Sequence, residues 1–390
     1  MKKNFFLSIA IAFCFHSKAQ NVGIGTSTPS ASAKLDVSST SSGFLLPRMN
    51  TVQRNLIPSP AAGLQIYNTD NNCQETWNGA GWISVCSNGN YFNGIYIIPC
   101  TPNSWNSKAD FGVVARAYAV GFAIGTKGYM GTGFDGSNRK NDFWEYDPSG
   151  NIWTQKADFG GTARLSAIGF AIGSKGYIGT GNDGVNKKDF WEFDPSVNTW
   201  TQKTDFGGTA RQYAVGFAIG SKGYIGTGVD PTSKKDFWEY DPSLNVGGTW
   251  TQKADFSGTA QFSAVGFAIG TKGYIGTGFD GAYKKDFWEY DPSLGVGGTW
   301  TPKTDFGGVA RNDAVGFAIG TKGYIGTGFD GSLSKKDFWE YNPSGNTWIQ
   351  KTDFGGTARR GAVGFATGSK GYIGAGDDGS KRRDFWEYCQ

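Results

Sequence analysis

The sequence predicts an all-β chain: a ring of six four-stranded blades, closed by an outermost strand from its own N-terminal side and preceded by a small β-rich module. Three observations predict it. Glycine supplies 61 of 390 residues and aromatic residues 15% of the chain, a mixture suited to many short strands joined by tight turns. Trp105, Trp153, Trp200, Trp250, Trp300 and Trp348 recur at spacings of 48, 47, 50, 50 and 48 residues. Each unit holds four strand-like runs, and no stretch sustains helical periodicity.

The chain opens as a secretory signal peptide over residues 1–19. Lys2 and Lys3 precede an apolar run from Phe5 to Phe15, and Ser17 and Ala19 supply the small residues of a cleavage site before Gln20. Cleavage there predicts a secreted or cell-surface protein. No other apolar run approaches the roughly 20 residues that span a bilayer, so no transmembrane segment is expected. Removing Lys2, Lys3 and Lys18 and no acid takes 37 basic against 33 acidic residues to 34 against 33. Such interspersed, balanced charge argues against nucleic acid as a partner.

Residues 20–90 form the N-terminal module, rich in Ser, Thr, Asn and Pro as far as Pro60. Low hydrophobicity over residues 20–60 also fits a spacer without its own core. In CQETWNGAGWISVC, a hairpin centred on Gly79 and Ala80 puts Trp77 opposite Trp82 and Cys73 opposite Cys86, the short separation that a disulfide needs. Residues 91–99 connect to the repeats, which occupy residues 100–390.

In the first complete unit the strands read AVGFAIG (119–125), GYMGTG (128–133), DFWEYD (142–147) and IWTQKADF (152–159). The last DFWEY, at Asp384–Tyr388, has no Trp-led run after it. The unmatched Trp-led run WNSKADF (105–111) precedes every other strand, so it is expected to complete the sixth blade and leave no open edge. Cys389 occupies the place of Asp147, and Cys100 lies five residues before Trp105. A Cys100–Cys389 disulfide would therefore stand where the other blades have a peptide loop. The even set of four cysteines beyond the signal peptide favours disulfides in an exported chain.

The order Arg, apolar strand, Gly-Tyr-Ile-Gly-x-Gly, then Tyr and Asp-Pro-x-x-Asn-x-Trp resembles the bacterial kelch-repeat β-propellers, which are similar to the galactose oxidase propeller domain. One departure is regular: kelch blades usually carry adjacent glycines near the Tyr motif, where this chain reads GTG or, once, GAG. The wording NVGIGTSTPSASAKLDVSSTSSGFLLPRM, QRNLIPSPAAGLQIYNTD and WNGAGW resembles the leading module of bacterial surface proteins and phage tail-fibre-like proteins, which implies a presentation role and no chemistry.

The only histidine, His16, leaves with the signal peptide. Without imidazole the chain lacks the ligands of a copper oxidase and the elements of zinc or Ser-His-Asp hydrolysis. No cofactor, metal or catalytic residue is expected. The carboxylates come in sixes. Glu145, Glu192, Glu239, Glu289, Glu340 and Glu387 are expected to meet repeated Arg or Lys, with Arg116, Arg164, Arg211, Arg311 and Arg359 as candidates and Gln261 breaking the series. Asp135, Asp183, Asp230, Asp280, Asp330 and Asp378 suit turns better than calcium. The DFWEY aromatics suit core.

Variation between near-identical units is the functional signal. It falls on Tyr118, Leu165, Gln212, Tyr213, Phe262, Asn312, Asp313 and Arg360 before the first strand, and on Asn138, Arg139, Tyr283 and Leu333 in the loop after the second. Both loops leave an up-and-down blade on the same face. This face is expected to bind a protein or glycan partner; the other reading is a kelch-type sugar mutarotase or epimerase that uses Arg and acidic residues at the channel mouth.

Overall fold

The structure is a computed structural model that describes residues 22–70, 73–86, 91–92, 95–96, 101–112 and 114–390. Residues 1–19, predicted as a signal peptide, and Cys100 lie outside the described residues. The chain divides into two compact units, 1–99 and 100–390.

In the first unit, Val22–Ile24 pairs in parallel with Leu35–Val37. A second sheet has the order Arg48–Met49, Gln65–Asn68, Cys73–Trp77, Trp82–Cys86. Trp77 opposes Trp82 and Cys73 opposes Cys86, the register expected from the sequence. A short helix, Thr51–Asn55, is capped reciprocally by Asn50 and Gln53. Arg54 reaches over to the fully buried Glu75 at 2.8 Å. Among the described residues no helix is long and apolar enough to cross a membrane.

The second unit repeats one four-stranded antiparallel sheet. Its first copy runs Val120–Ile124, Lys127–Gly131, Phe143–Asp147, Ile152–Gln155. Further copies cover 168–203, 215–252, 265–303 and 315–351. In the sixth, Val363–Thr367, Lys370–Gly374 and Phe385–Cys389 are joined by Ser104–Lys108 from the start of the unit. Tyr388 stands opposite Trp105 and Cys389 opposite Ser104, so the strand predicted to complete the last sheet does pair with it. Lys108 adds an ion pair to Glu387 at 3.1 Å, and Trp105 packs edge-on against Phe338 of the fifth repeat and against Phe354, which follows it.

Each first strand packs beside the next, and Val120–Ile124 also touches Val363–Thr367. Glycine permits that approach: a Cβ on Gly169 would lie 2.1 Å from Val120 Cγ1, and one on Gly176 would lie 2.4 Å from the Phe122 ring. Phe122 thereby fills a slot in the neighbouring sheet. The DFWEY aromatics form the layer between sheets, with Phe143, Phe190, Phe237, Phe338 and Phe385 fully buried. Phe143 meets Phe193 and Trp200 of the following sheet edge-on at 5.0 Å.

The charged residues pair differently from the sequence expectation in one respect. Arg116, Arg164, Arg211, Arg311 and Arg359 do not meet the strand glutamates. Each forks onto the aspartate that opens DFWEY, as in Arg164 Nη1 and Nη2 to Asp189 at 2.6 and 2.7 Å. The reason is register. The arginine precedes the first strand and the aspartate begins the third at that same end, while the glutamate lies three residues further along. Glu192 instead accepts from Tyr177 Oη at 2.6 Å and faces Lys203 at 3.1 Å, and the equivalent glutamates do likewise. The loop aspartates build turns: Asp135 Oδ1 accepts from the amides of Ser137 and Asn138.

Candidate functional site

The mouth of the second unit is built by the residues just before each first strand. Tyr118, Ser166, Tyr213, Ser263, Asp313 and Gly361 all adopt left-handed backbone, with φ between 51° and 58°. This turns every amide toward the preceding repeat. Ser166 N donates to Tyr118 O, Tyr213 N to Ser166 O, Ser263 N to Tyr213 O, Asp313 N to Ser263 O, Gly361 N to Asp313 O and Tyr118 N to Gly361 O, at 2.8–3.1 Å. The circuit returns to its starting residue. Its side chains line a small depression together with the alanines that follow them.

The two loops predicted to share this face do so. Leu165 bridges Asn182, Gln212 bridges Val229, Phe262 bridges Phe279, Asn312 bridges Phe329 and Arg360 bridges Asp377. Tyr118, Tyr213 and Asp313 sit on the depression itself, while Leu165, Gln212, Phe262, Asn312 and Arg360 lie one residue outward. Asn138 and Leu333 are exposed at turns, and Arg139 is held by the carbonyl and side-chain oxygens of Asn182 at 3.1 and 3.0 Å.

Aromatic contacts join part of this set into an arc. Tyr118 meets Tyr213 edge-on with centroids 5.9 Å apart, Tyr213 meets Phe262 at 6.1 Å, and Phe262 meets Phe279 at 5.6 Å. Phe279 then meets Tyr283 at 5.0 Å, and Tyr283 meets Phe329 at 5.9 Å. The Arg360 guanidinium caps the far end, 4.9 Å from the Phe329 ring centre. Phe279 and Phe329 were absent from the sequence-derived set. Their signal is the residue after the GTG glycine, which reads Phe134, Asn182, Val229, Phe279, Phe329 and, after GAG, Asp377.

Polar groups stand beside the arc. Burial pushes the Asp313 carboxyl above its usual range, against a hydrogen bond with Ser263 and the charge of Arg360. Burial likewise raises the Tyr118 and Tyr213 phenols, with the Asp313 charge adding to both. Both tyrosines therefore stay protonated donors at neutral pH. Asn312 Oδ1 is buried with no hydrogen-bond partner among the described residues. The mouth thus offers aromatic faces, hydroxyl donors, an amide and one guanidinium.

A solved structure described as "Structure of YjhT" is similar over 70% of this chain and 95% of its own, with a TM-score of 0.61 and 15% sequence identity. The repeated sheets form a β-propeller. Residues 23–99 match the family described as "Phage tail like trimerisation region", so the propeller follows a tail-like module. No curated protein matches the chain.

Proposed function

We propose that the chain is an exported binding protein: a six-bladed propeller, closed by the Ser104–Lys108 strand, that recognises a glycan-bearing partner at its mouth. The aromatic arc from Tyr118 to Phe329, ending on Arg360, is the observation that carries this reading. Six near-identical repeats would by default give a six-fold mouth, yet the arc joins unlike residues of the first, third, fourth and fifth repeats and has no member from the second. Aromatic faces flanked by hydroxyl, amide and guanidinium donors suit the apolar faces and hydroxyl rims of sugars. The backbone circuit fixes these side chains on a rigid base, where recognition loses little to ordering.

The tail-like module supports presentation of three copies, since the family it matches is described as a trimerisation region. Two disulfides are part of the proposal, Cys73–Cys86 and Cys100–Cys389. Cys73 stands opposite Cys86 in register, and Cys389 takes the place that Asp147 holds at the start of the loop in the first repeat.

A glycan array probed with the full chain tests the function, beside the triple variant Tyr118→Ala, Tyr213→Ala, Phe262→Ala. Binding by the parent and at least a tenfold loss in the variant are expected. An unchanged array signal from the variant would refute the site. Turnover of a free sugar by the parent, lost on Asp313→Asn, would favour the mutarotase or epimerase reading instead.

A further inference from the structure

Five repeats share one buried ion pair, and together they define what the fourth repeat lacks. In the third, Arg211 Nη1 donates to Thr227 O at 2.9 Å and to Asp236 Oδ1 at 2.6 Å. Nη2 donates to Asp236 Oδ2 at 2.8 Å and Thr209 Oγ1 at 3.1 Å, and the guanidinium carbon sits 5.0 Å from the Phe206 ring centre. In the fourth repeat the corresponding residues are Gln261, Thr277, Asp286, Thr259 and Phe256.

The backbone is unchanged there. Thr277 has φ 59° against 57° for Thr227, so its carbonyl keeps the same aim. Gln261 is completely buried, and neither its Nε2 nor its Oε1 finds a partner among the described residues. Asp286 Oδ2 accepts from Trp288 Nε1 at 2.8 Å, but Oδ1 has no partner among them. The neighbouring lysines are engaged elsewhere, Lys284 with Asp280 at 2.6 Å and Lys285 with Asp305 at 3.5 Å. Glutamine ends where the guanidinium of arginine would begin. By correspondence with the third repeat, the place of the two terminal nitrogens lies beyond its amide, between the groups that answer to the partners of Arg211: the Asp286 carboxylate, the Thr277 carbonyl and the face of Phe256.

We propose that this place is a binding site for a water-sized monovalent cation, of the ammonium or potassium class, that replaces the missing guanidinium. A carboxylate withdrawn from water needs a counter-charge or must take a proton. The carboxylate, the carbonyl and the aromatic face that hold a guanidinium in the other repeats suit a cation, and glutamine shortens the side chain only by the terminal part of that guanidinium, which suits a cation without a carbon chain.

The test is urea unfolding of the full chain in ammonium, potassium or tetramethylammonium chloride at equal ionic strength. In ammonium or potassium chloride, each tenfold rise in salt above the dissociation constant should raise the folding constant about tenfold relative to tetramethylammonium. Gln261→Arg, which supplies the tethered guanidinium, should be more stable and lose the dependence on cation identity. Asp286→Asn, which removes the charge, should lose it as well. Indifference of the parent to the cation would overturn the proposal and assign the place to water or to a protonated Asp286. An equal response in all three proteins would overturn it too, by showing that the ions act elsewhere.

Discussion

At the residue scale, the repeated Arg–Asp forks dominate the electrostatics. Burial alone would raise the carboxyl of Asp189, but the hydrogen bonds and charge of Arg164 more than offset it and hold that carboxyl below its usual range. A depressed carboxyl contributes stability that is full above its unfolded pKa of about 4 and is lost as pH falls through the lower folded value. Arg164→Gln should cost about 3–5 kcal/mol at neutral pH, because it strands a partly buried carboxylate. Urea titrations should show the gap from the parent narrowing below about pH 4. At Asp286, which has no arginine beside it, burial pushes the carboxyl up instead.

A second residue-scale prediction concerns backbone strain. Thr132, Thr180, Thr227, Thr277 and Thr327 have φ of 57–60°, and each leaves a buried hydroxyl without a partner among the described residues. Left-handed backbone costs an L-residue roughly 1–2 kcal/mol, and a β-branched residue is an outlier there. These are the middle positions of the GTG wording, where the kelch repeats that the sequence resembles usually carry adjacent glycines. Thr227→Gly should therefore stabilise the protein by about 1 kcal/mol, after the entropy glycine loses on folding is deducted. A lower unfolding midpoint in differential scanning would show that the threonine methyl packs better than its backbone sits.

At the scale of elements, Ser104–Lys108 is the strand on which the last sheet depends. Its place was legible in the sequence because strand types could be counted, and five complete repeats left one Trp-led run over at the start and three strands without one at the end. The glutamate partners were not legible to the same degree. Spacing alone does not say which end of a strand an arginine reaches, whereas the register does: Asp142 lies level with Arg116, and Glu145 does not. The mouth was legible as a set of variable positions, including Tyr118, Tyr213 and Phe262. The arc was not, because Phe279 and Phe329 sit inside the conserved-looking GTGFD wording and only contacts across repeats connect them. The strand also carries a prediction. A Cys100–Cys389 bond would close a loop of nearly the whole unit, contributing about 3–5 kcal/mol if unstrained. Cys389→Ser should lower stability by that amount, and peptide mapping without reductant should recover the linked pair from the parent. A free thiol at either position would remove the bond from the account.

At the scale of the whole molecule, the first unit carries apolar surface that its own fold does not cover. Val22, Ile24, Leu35, Val37, Phe44, Leu45, Val52 and Leu56 are each between 43% and 76% exposed, all within 35 residues. Exposure that concentrated marks an interface more often than a solvated surface, and the likeness to a trimerisation region points to two further copies as its cover. The chain from Gln20 should therefore sediment as a trimer, while residues 100–390 alone, which hold the six sheets and their backbone circuit, should sediment as a folded monomer. Tethering three mouths makes the second and third contacts intramolecular, so a partner displayed many times on one surface should be held 10²–10⁴-fold more tightly than a single copy. Surface binding measured for both lengths of chain separates the contributions. Equal affinity for a single immobilised partner and a large gap on a dense surface would assign the first unit to avidity; equal binding on both surfaces would leave it no part in recognition.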